Sequence, residues 1–557
     1  MSYLVHSVLC ALLLASSAFS QTASLGLFDG NSDVGTVLHR GSADYDKAKH
    51  TYTVTGSGEN IWAPPDAFHF IWKKVSGDFA LTADVTILTT DGNPHRKAVL
   101  MIRQSLYADS VYADIALHGE GLTSLQFRDE KGAPTHEVQS YIRAPKRLRL
   151  VKRGDYIYMA LASDKAPLQI AAGSPRIHLE GSYYIGIGAC SHDKDAVTKA
   201  EFSNVELTDR TSATAAQPVM FSVLETIAVA STDRAAHYVT ADHIEAPNWT
   251  RDGSAFVFNS GGRIYRMPIN SRKPEVIDTG NAIRCNNSHG ISPDGKTLVI
   301  SDQSIEPHDS LIYALPLSGG TPKRITQNSP SYWHGWSPDG KTLAFVGQRD
   351  VGQGNRDFDI YTISVDGGSE TRLTTAKGLD DGPEFPPDGA FIYFNSERTG
   401  HMQIWRMKPD GADQQQVTFG ELNNWFPHIS PDGQQMVFIS FDKDMVGHPP
   451  NKDVALRRMS MSDGKINELA RLFGSQGTMK VPSWSPDGRQ FAFVSYVFVD
   501  PDDAPAKESR TGAPLKPGAP PSAAFGLGGV EAAFAWVGLF VPFSNQPLVT
   551  NPFNRRL

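Results

Sequence analysis

Short apolar runs recur through the second half of the chain. Each is four or five residues long, rich in β-branched and aromatic side chains, and bounded by polar or glycine positions, as strands are. The runs are residues 255–258, 297–300, 342–346, 391–394, 436–439 and 491–494. In most units a further strand follows, such as 359–363, and then a short closing one, such as 371–374. This pattern predicts repeated β units.

A turn phrase ending in Asp-Gly precedes every run. Its aspartates are Asp252, Asp294, Asp339, Asp388, Asp432 and Asp487, at intervals of 42, 45, 49, 44 and 55 residues. Proline before the aspartate presets φ, aspartate bonds its own backbone, and glycine supplies a positive φ. An ordinary sandwich would not restart the same strand order at this period. The repeat therefore predicts a β-propeller with six four-stranded blades.

The last repeat departs from this pattern. After Tyr496 no further strand or closing phrase of the repeat follows. Closure of a ring then requires strands from upstream, and residues 222–230 are an apolar segment of the right kind. We expect this segment to complete the last blade, which would also cover an open sheet edge.

The repeat resembles a known family. The Ser-Pro-Asp-Gly phrase, the Asp-Ile-Tyr or Gln-Ile-Trp strand and the Arg-Leu-Thr close, over about residues 215–500, are similar to the WD-like repeats of TolB-like six-bladed propellers. Proteins with this propeller include periplasmic binding scaffolds, peptidase-associated domains and oligogalacturonate lyases. The resemblance implies the fold and leaves the function open.

Residues 24–210 contain alternating or apolar runs without the turn phrase, which predicts an antiparallel sandwich. Motifs such as Gly-Asp-Phe-x-Leu-x-Ala-Asp-Val and Tyr-Tyr-Ile-Gly-Ile-Gly resemble the concanavalin A/laminin G-like jelly rolls of bacterial exported proteins. That resemblance implies an accessory glycan-binding module. Four aromatic residues, Trp62, Phe68, Phe70 and Trp72, either form a stacking platform or fill the core of a domain that braces the propeller.

Three segments are expected to lie outside the folded regions. Residues 1–20 are typical of a cleaved export signal, with an apolar stretch and Ala18-Phe19-Ser20 before the cleavage point. Residues 208–217 form an expected exposed linker, and residues 501–557 are expected to be a Pro-, Ala- and Gly-rich tail of low order. These features predict a periplasmic or secreted protein without a transmembrane anchor.

Composition narrows the function further. The chain of 557 residues has 20% charged residues and a net charge of −8, so it offers no basic patch for nucleic acid. Cys190 and Cys285 are predicted as two free buried thiols, since a disulfide between them would need close docking of the two domains.

Alignment of the repeats on aspartate indicates the candidate chemistry. His289 and His334 lie five residues before it, and Glu384 and His428 lie four residues before it. Propellers bind ligands at the channel mouth, so these side chains are expected to converge. The predicted roles are metal ligation by His289, His334 and His428, catalysis by His334, His289 and Glu384, and ligand binding by Trp333, Asp381, Asn424 and Trp425. Imidazole and carboxylate suit a divalent metal, here manganese, calcium or zinc. His308, His401 and His448 are expected on the surface.

Three functions fit this pattern. The first is an exported propeller that binds a carbohydrate at its channel mouth, with the jelly roll as an accessory domain. The second, implied by the family resemblance, is a metal-dependent lyase of the oligogalacturonate type. The third is a non-catalytic TolB-like scaffold for an envelope protein. No Gly-x-Ser-x-Gly elbow occurs in the propeller, which argues against a peptidase of the prolyl-oligopeptidase type.

Overall fold

The computed structural model describes residues 25–211, 217–352 and 355–504. These all belong to one compact unit, Met1–Pro505. The predicted export signal, residues 212–216 of the linker and the tail from residue 505 onward lie outside the described residues. No helix in the described part of the chain is long and apolar enough to cross a membrane.

Sixteen strands precede the repeats. They are β1 (Gly30–Val34), β2 (Ser42–Asp46), β3 (Thr51–Gly58), β4 (Phe68–Ser76), β5 (Phe79–Ile87), β6 (Lys97–Arg103), β7 (Tyr112–His118), β8 (Thr123–Arg128), β9 (His136–Gln139), β10 (Arg147–Arg153), β11 (Tyr156–Ala162), β12 (Gln169–Ile170), β13 (Ser182–Cys190), β14 (Asp193–Asp209), β15 (Val219–Ala228) and β16 (Arg234–Thr240).

Strands β1 to β14 form two sheets over a common core. One sheet has the order β12-β11-β10-β5-β14-β3-β2, and the other begins β1-β4-β13-β6-β7-β8-β9. Their inward positions, including Val54 and Leu81 from one sheet and Ile71 and Leu100 from the other, pack in one buried apolar cluster. All pairings within this sandwich are antiparallel. Its assignment to the jelly-roll class stays a prediction.

The repeats form five four-stranded sheets in chain order, each with its strands in sequence. The strands are β17 (Ile244–Trp249), β18 (Ala255–Ser260), β19 (Arg263–Pro268), β20 (Glu275–Val276), β21 (Cys285–Ile291), β22 (Thr297–Asp302), β23 (Leu311–Pro316), β24 (Lys323–Arg324), β25 (Ser331–Trp336), β26 (Thr342–Gly352), β27 (Asn355–Ser364), β28 (Thr371–Arg372), β29 (Asp380–Glu384), β30 (Ile392–Ser396), β31 (Gln403–Met407), β32 (Gln415–Gln416), β33 (Asn423–Ile429), β34 (Gln435–Phe441), β35 (Lys452–Ser460), β36 (Ile466–Gly474) and, after the five sheets, β37 (Gln490–Val499). Two short 3-10 helices are Gln476–Thr478 and Pro501–Asp503.

The Asp-Gly phrase makes the predicted turn between the first two strands of each blade. In the second blade, the Ser292 hydroxyl donates to Asp294 Oδ1 at 2.5 Å, and Lys296 N donates to the same oxygen at 3.1 Å. Gly295 has a φ of +74°, which an L side chain adopts only under strain. The turn aspartates therefore stabilise the backbone of the turn by hydrogen bonds, as predicted.

The expected six separate blades are not confirmed, because the described residues form five four-stranded sheets. The strand of the sixth repeat, β37, pairs antiparallel with β15 along its whole length, and β15 pairs with β16. The upstream segment thus pairs with the strand of the last repeat, as expected, while its completion of a sixth blade stays a prediction. However, β16 also pairs with β9 in parallel, so these three strands belong to a ten-stranded sheet that continues into the sandwich.

The sandwich and the propeller share further contacts at this junction. Arg210 lies 2.8 Å from Asp500 and 2.9 Å from Asp503, and Arg149 and Arg153 contact the same two carboxylates. A mixed apolar cluster unites sandwich residues with β15, β16 and β37. The two regions are therefore joined by a shared sheet, a shared apolar cluster and ion pairs, and not by the linker alone.

Both described cysteines behave as predicted. Cys190 lies in the sandwich and Cys285 in the second blade, and each is buried and free of a disulfide. Burial raises the pKa of Cys190 to about 11 and the pKa of Cys285 well above its usual value. Both thiols stay protonated at neutral pH and act as small apolar side chains.

Candidate functional site

The innermost strands of the five blades carry the predicted site residues. Each has an irregularity in its pairing register within the same stretch, for example between Asp381 and Glu384 or between Trp425 and His428. A β-bulge turns side chains away from regular alternation and aims them differently. The positive φ of Phe426, +54°, lies within one of these bulges. The bulges explain why successive polar residues of one strand reach the channel.

Asp381 is the centre of one buried charge cluster. His334 Nε2 lies 3.0 Å from Asp381 Oδ1, and His448 Nε2 lies 3.4 Å from Oδ2. Burial opposes the charge on Asp381, but His334, His448 and Lys480 hold its pKa well below the usual value. Burial lowers the pKa of both histidines despite this carboxylate. The cluster thus combines an ionised carboxylate with neutral imidazoles at neutral pH.

Two members of this cluster were missed from the sequence. His448 was expected on the surface and is instead 5% exposed. Lys480 is buried, its ammonium donates to Gln476 Oε1 at 3.0 Å, and it lies 5.4 Å from the centre of the Phe426 ring. Burial lowers the pKa of Lys480, against the attraction of Asp381 and Glu245. The repeat alignment contained a signal for the lysine, since Glu245, Asp381 and Lys480 all lie seven residues before the turn aspartate.

Glu384 and His428 form a second, separate pair. His428 Nδ1 lies 2.5 Å from Glu384 Oε2, and its Nε2 lies 2.9 Å from the Met479 carbonyl oxygen. Glu384 Oε1 accepts from Ile429 N at 3.0 Å. Both ring nitrogens and both carboxylate oxygens are therefore occupied by partners within the protein. Such a pair joins adjacent blades, and both ring nitrogens of His428 already face oxygen atoms of the protein.

The predicted metal ligands are not brought together. His289 is fully buried near the backbone of Ala246 and Val257, and burial lowers its pKa to about 4. His334 faces Asp381, and His428 faces Glu384. In the part of the chain that the structure describes, His289, His334 and His428 do not form a group of ligand atoms of the size a metal needs. The reason is that His334 and His428 face two different carboxylates of β29, while His289 lies against β17 and β18.

The predicted ligand-binding residues mostly serve packing. Trp333 and Trp425 are each 1% exposed and belong to apolar clusters between blades, and Trp333 also lines the cavity described below. Asn424 donates to Gln403 Oε1 at 3.0 Å and accepts from the Ser440 hydroxyl at 2.7 Å. These contacts occupy the buried amide with one partner in the preceding blade and one in its own blade.

The open cavity lies at the Asp-Gly end of the channel. Its volume is about 310 Å³. Its wall includes one apolar residue from each of the six repeats, always three positions before the turn aspartate: Trp249, Ile291, Trp336, Phe385, Ile429 and Trp484. We call this set the apolar ring. Arg251, Asn248 and Glu384 add polar groups, and the prolines of the turns surround the opening.

Sequence reasoning missed the apolar ring because it sought titratable residues. The same alignment contained the signal, since all six residues three positions before aspartate are large and apolar. Large apolar residues at this position of a blade's first strand are also typical of core packing, so the sequence pattern alone does not indicate a cavity. Only the ring arrangement of the blades turns it into the lining of a cavity.

Comparison with known proteins identifies the family. The family model described as the TolB beta propeller domain matches residues 306–494. An uncharacterized protein of Agrobacterium fabrum is 48% identical over 262 residues, which cover 47% of this chain and 87% of the relative. The chain belongs to the TolB-like β-propeller family.

Other relatives of this TolB-like protein are more distant or align in part. The Tol-Pal system protein TolB of Francisella tularensis is 30% identical over 255 residues, covering 44% of this chain and 55% of the relative. The chain thus spans about half the length of these TolB proteins. A solved structure from Agrobacterium tumefaciens with a provisional TolB assignment is 48% identical and covers 50% of this chain and 99% of its own, with a TM-score of 0.48.

Proposed function

We propose that this TolB-like protein is a non-catalytic, exported binding propeller that takes a segment of an envelope protein into the cavity bounded by the apolar ring. The single observation that carries the proposal is this cavity, to which all six repeats contribute one large apolar side chain. A volume of about 310 Å³ is enough for a few side chains of an inserted segment. The Francisella relatives are named as members of a Tol-Pal system, which is consistent with a protein partner.

The proposal includes a composite sixth blade. Trp484 forms an isolated bridge with Phe491 of β37, and β15 and β16 follow outward. Asn248 of the first blade donates to the Pro482 carbonyl oxygen at 2.7 Å, which joins the two ends of the ring. Three strands and the bridge at Trp484, from two parts of the chain, thereby complete a ring of six. In this assignment β9 covers the outer edge of the composite blade.

A peptide fits the cavity better than a carbohydrate does. Sugar stacking requires an exposed aromatic face, whereas Trp249, Trp336 and Trp484 are only 7–8% exposed. Their edges and the neighbouring isoleucines form a small apolar opening. Arg251 is exposed at the rim, where it supplies a positive charge for an acidic residue or a carboxylate of the segment. Carbohydrate binding at the mouth is therefore the second candidate.

A metal-dependent lyase is supported less well. It would need the imidazoles of His289, His334 and His428 to share one ion, and the described structure gives each a separate environment. The buried ion pairs of the channel are accounted for as contacts between blades. In this proposal His334, His289 and Glu384 therefore stabilise contacts between blades and take no part in catalysis.

The domain limits follow the same proposal. Residues 1–20 are an export signal, residues 24–210 a concanavalin A-like sandwich, and residues 215–500 the propeller, in a periplasmic or secreted protein. The sandwich acts chiefly as a brace for the composite blade. Phe68 and Phe70 are fully buried, and Trp72 packs edge-on against Tyr184, so the aromatic cluster supports packing over glycan stacking.

The experiment uses the full-length protein on two arrays. One carries peptides tiled over outer-membrane lipoproteins, and the other carries bacterial and plant glycans. We expect peptide binding that is lost when the exposed rim residues Pro338 and Pro431 are both replaced by Trp, because the new rings close the opening. The matched control is Lys408→Trp on an exposed turn far from the mouth.

The outcomes separate the candidates. Glycan binding that disappears in the same rim variant, without peptide binding, would overturn the peptide proposal in favour of carbohydrate. Cleavage of oligogalacturonate in the presence of Mn²⁺ would overturn the non-catalytic proposal. Unchanged peptide binding in the rim variant would show that the cavity is not the site.

A further inference from the structure

Three loops meet at one end of the sandwich, outside the propeller. Strands β13, β6 and β7 are neighbours, and their ends lie in register, with Cys190 opposite Lys97 and Lys97 opposite His118. His95 therefore precedes the middle strand, while His192 follows β13 close by. Glu120 lies in the turn after β7. The topology gathers residues that are far apart in the sequence.

The side chains of this end lie close together. His95, His118 and Glu120 each offer a ligand atom, and these atoms all lie within 4.8 Å of one another. His95 Nδ1 is 3.8 Å from Glu120 Oε1. The ring centres of His95 and His118 are 5.7 Å apart, and those of His95 and His192 are 5.5 Å apart. No other group of this kind occurs among the described residues.

A second observation points to a missing ligand. The His118 side chain is only 5% exposed, and within residues 25–211, 217–352 and 355–504 its Nδ1 has no hydrogen-bond partner. His192 Nδ1 is buried and equally without one there. A buried polar atom without a partner costs free energy.

The backbone holds the three loops in place. Asn93 Nδ2 donates to the His192 carbonyl oxygen at 2.8 Å, and Asn93 Oδ1 accepts from His95 N at 2.8 Å. In the turn after β7, Gly119 N donates to the Arg96 carbonyl oxygen at 2.9 Å, and Glu120 N donates to the Pro94 carbonyl oxygen at 3.1 Å. The cluster is therefore built on fixed loops, and small side-chain movements suffice to bring its atoms around one ion.

We propose that His95, His118 and Glu120, with His192 as a fourth ligand, bind one divalent transition-metal ion, best matched by Zn²⁺. Imidazole nitrogen with one carboxylate oxygen is a donor set that Zn²⁺ favours, and four protein ligands make a closed, structural site. The ion would cross-link the three loops at the end of the sandwich. The hard cations Ca²⁺ and Mg²⁺ prefer oxygen ligands and should not compete.

The test is calorimetric titration of ZnCl₂ into the full-length protein after removal of any affinity tag and treatment with EDTA. We expect one equivalent bound and a higher Tm with Zn²⁺. His95→Ala changes a half-exposed residue and should fold. It should bind at least about 10-fold more weakly, since loss of even an outer-shell partner of a metal ligand costs about 10–100-fold. Glu120→Gln should also bind Zn²⁺ more weakly than the wild-type protein.

The matched control is His178→Ala. His178 also lies beside a carboxylate, with Nδ1 3.1 Å from Asp155 Oδ1, but it belongs to no group of three ligands. Its loss should leave the affinity unchanged. The proposal is overturned if the wild-type protein binds no Zn²⁺, if His95→Ala and Glu120→Gln both bind as tightly as wild type, or if an excess of Ca²⁺ displaces the ion.

Discussion

The propeller channel and the loop end of the sandwich both contain histidine and carboxylate side chains, but the two regions arrange them differently. In the channel, His428 is matched to Glu384, and Asp381 lies between His334 and His448. At the sandwich end, His118 and His192 are buried with a nitrogen that no described residue contacts. Histidine and carboxylate in proximity therefore do not define a metal site. What distinguishes the two regions is that, among the described residues, three ligand atoms converge only at the sandwich end.

The difference has an energetic side. A buried cluster of a carboxylate with cations or imidazoles stabilises the fold only when all its members are present. Loss of one member leaves the others buried without a partner, at the cost of their desolvation. An imidazole without a partner carries that cost already, and a bound ion would relieve it. The channel should therefore respond most strongly to mutation, and the sandwich end to added metal.

The largest effect is expected from Asp381→Asn. The variant leaves Lys480 buried without its main counter-charge, so the free energy of unfolding should fall by about 3 kcal/mol. Urea denaturation at neutral pH measures it. The control Asp366→Asn breaks an exposed pair with Lys323 and should change stability by less than about 1 kcal/mol. Equal effects of the two variants would contradict the assignment of Asp381 as the centre of the cluster.

The second expectation concerns acid stability. The folded pKa of His289 is lowered to about 4, so below the ordinary pKa the unfolded chain binds a proton that the folded state excludes. Stability contributed by the neutral ring is present above pH 6.5 and is lost as the pH falls toward 4. His289→Gln should flatten the slope of stability with pH in this window by up to about 1.4 kcal/mol per pH unit.

The control for this slope is Asn287→Gln on the same strand. It changes packing beside the channel but adds or removes no titrating group, so stability should shift without a change of slope. Urea denaturation at several pH values from 4 to 7 provides both curves. A slope for His289→Gln that equals the wild-type slope would contradict the lowered pKa.

The third expectation compares the metal content of the two regions. His289→Ala and His334→Ala should bind Zn²⁺ as tightly as the wild-type protein, because neither residue belongs to the group of three ligand atoms and His334 faces Asp381. His118→Gln should lose at least about 10-fold in affinity. Metal analysis after equilibrium dialysis measures all three variants. Loss of metal in both channel variants, with retention in His118→Gln, would reverse the comparison and restore a metal site in the channel.

The repeat was the most predictable part of the molecule. The turn phrase and the runs after it are local features, so they gave the blade strands, the turn role of Asp294 and the pairing of the upstream segment with β37. The number of separate sheets was not predictable. It depends on the pairing of β16 with β9, which joins strands from regions that the sequence presents as independent domains.

The site residues were predicted only in part. Alignment showed that His334 and Glu384 start neighbouring blades, but their partners depend on the bulges and on His448, which enters from a loop outside the repeat pattern. The ligand cluster of the sandwich could not be predicted from the sequence for a similar reason. His95 and His118 meet across the β6–β7 hairpin, and His192 joins them because β13 pairs with β6 out of sequence order.

The smallest effect is expected at the turns, which also contain aspartate but lie on the surface. Gly340 has a φ of +70° and room for a Cβ atom, since the nearest atom would be 3.8 Å away. Gly340→Ala should therefore cost only backbone strain, about 1 kcal/mol, far less than Asp381→Asn. Gly340→Asn should cost less still, because asparagine tolerates a positive φ. A loss for Gly340→Ala as large as that of Asp381→Asn, in the same urea assay, would show that surface turns and buried channel charges support the ring equally.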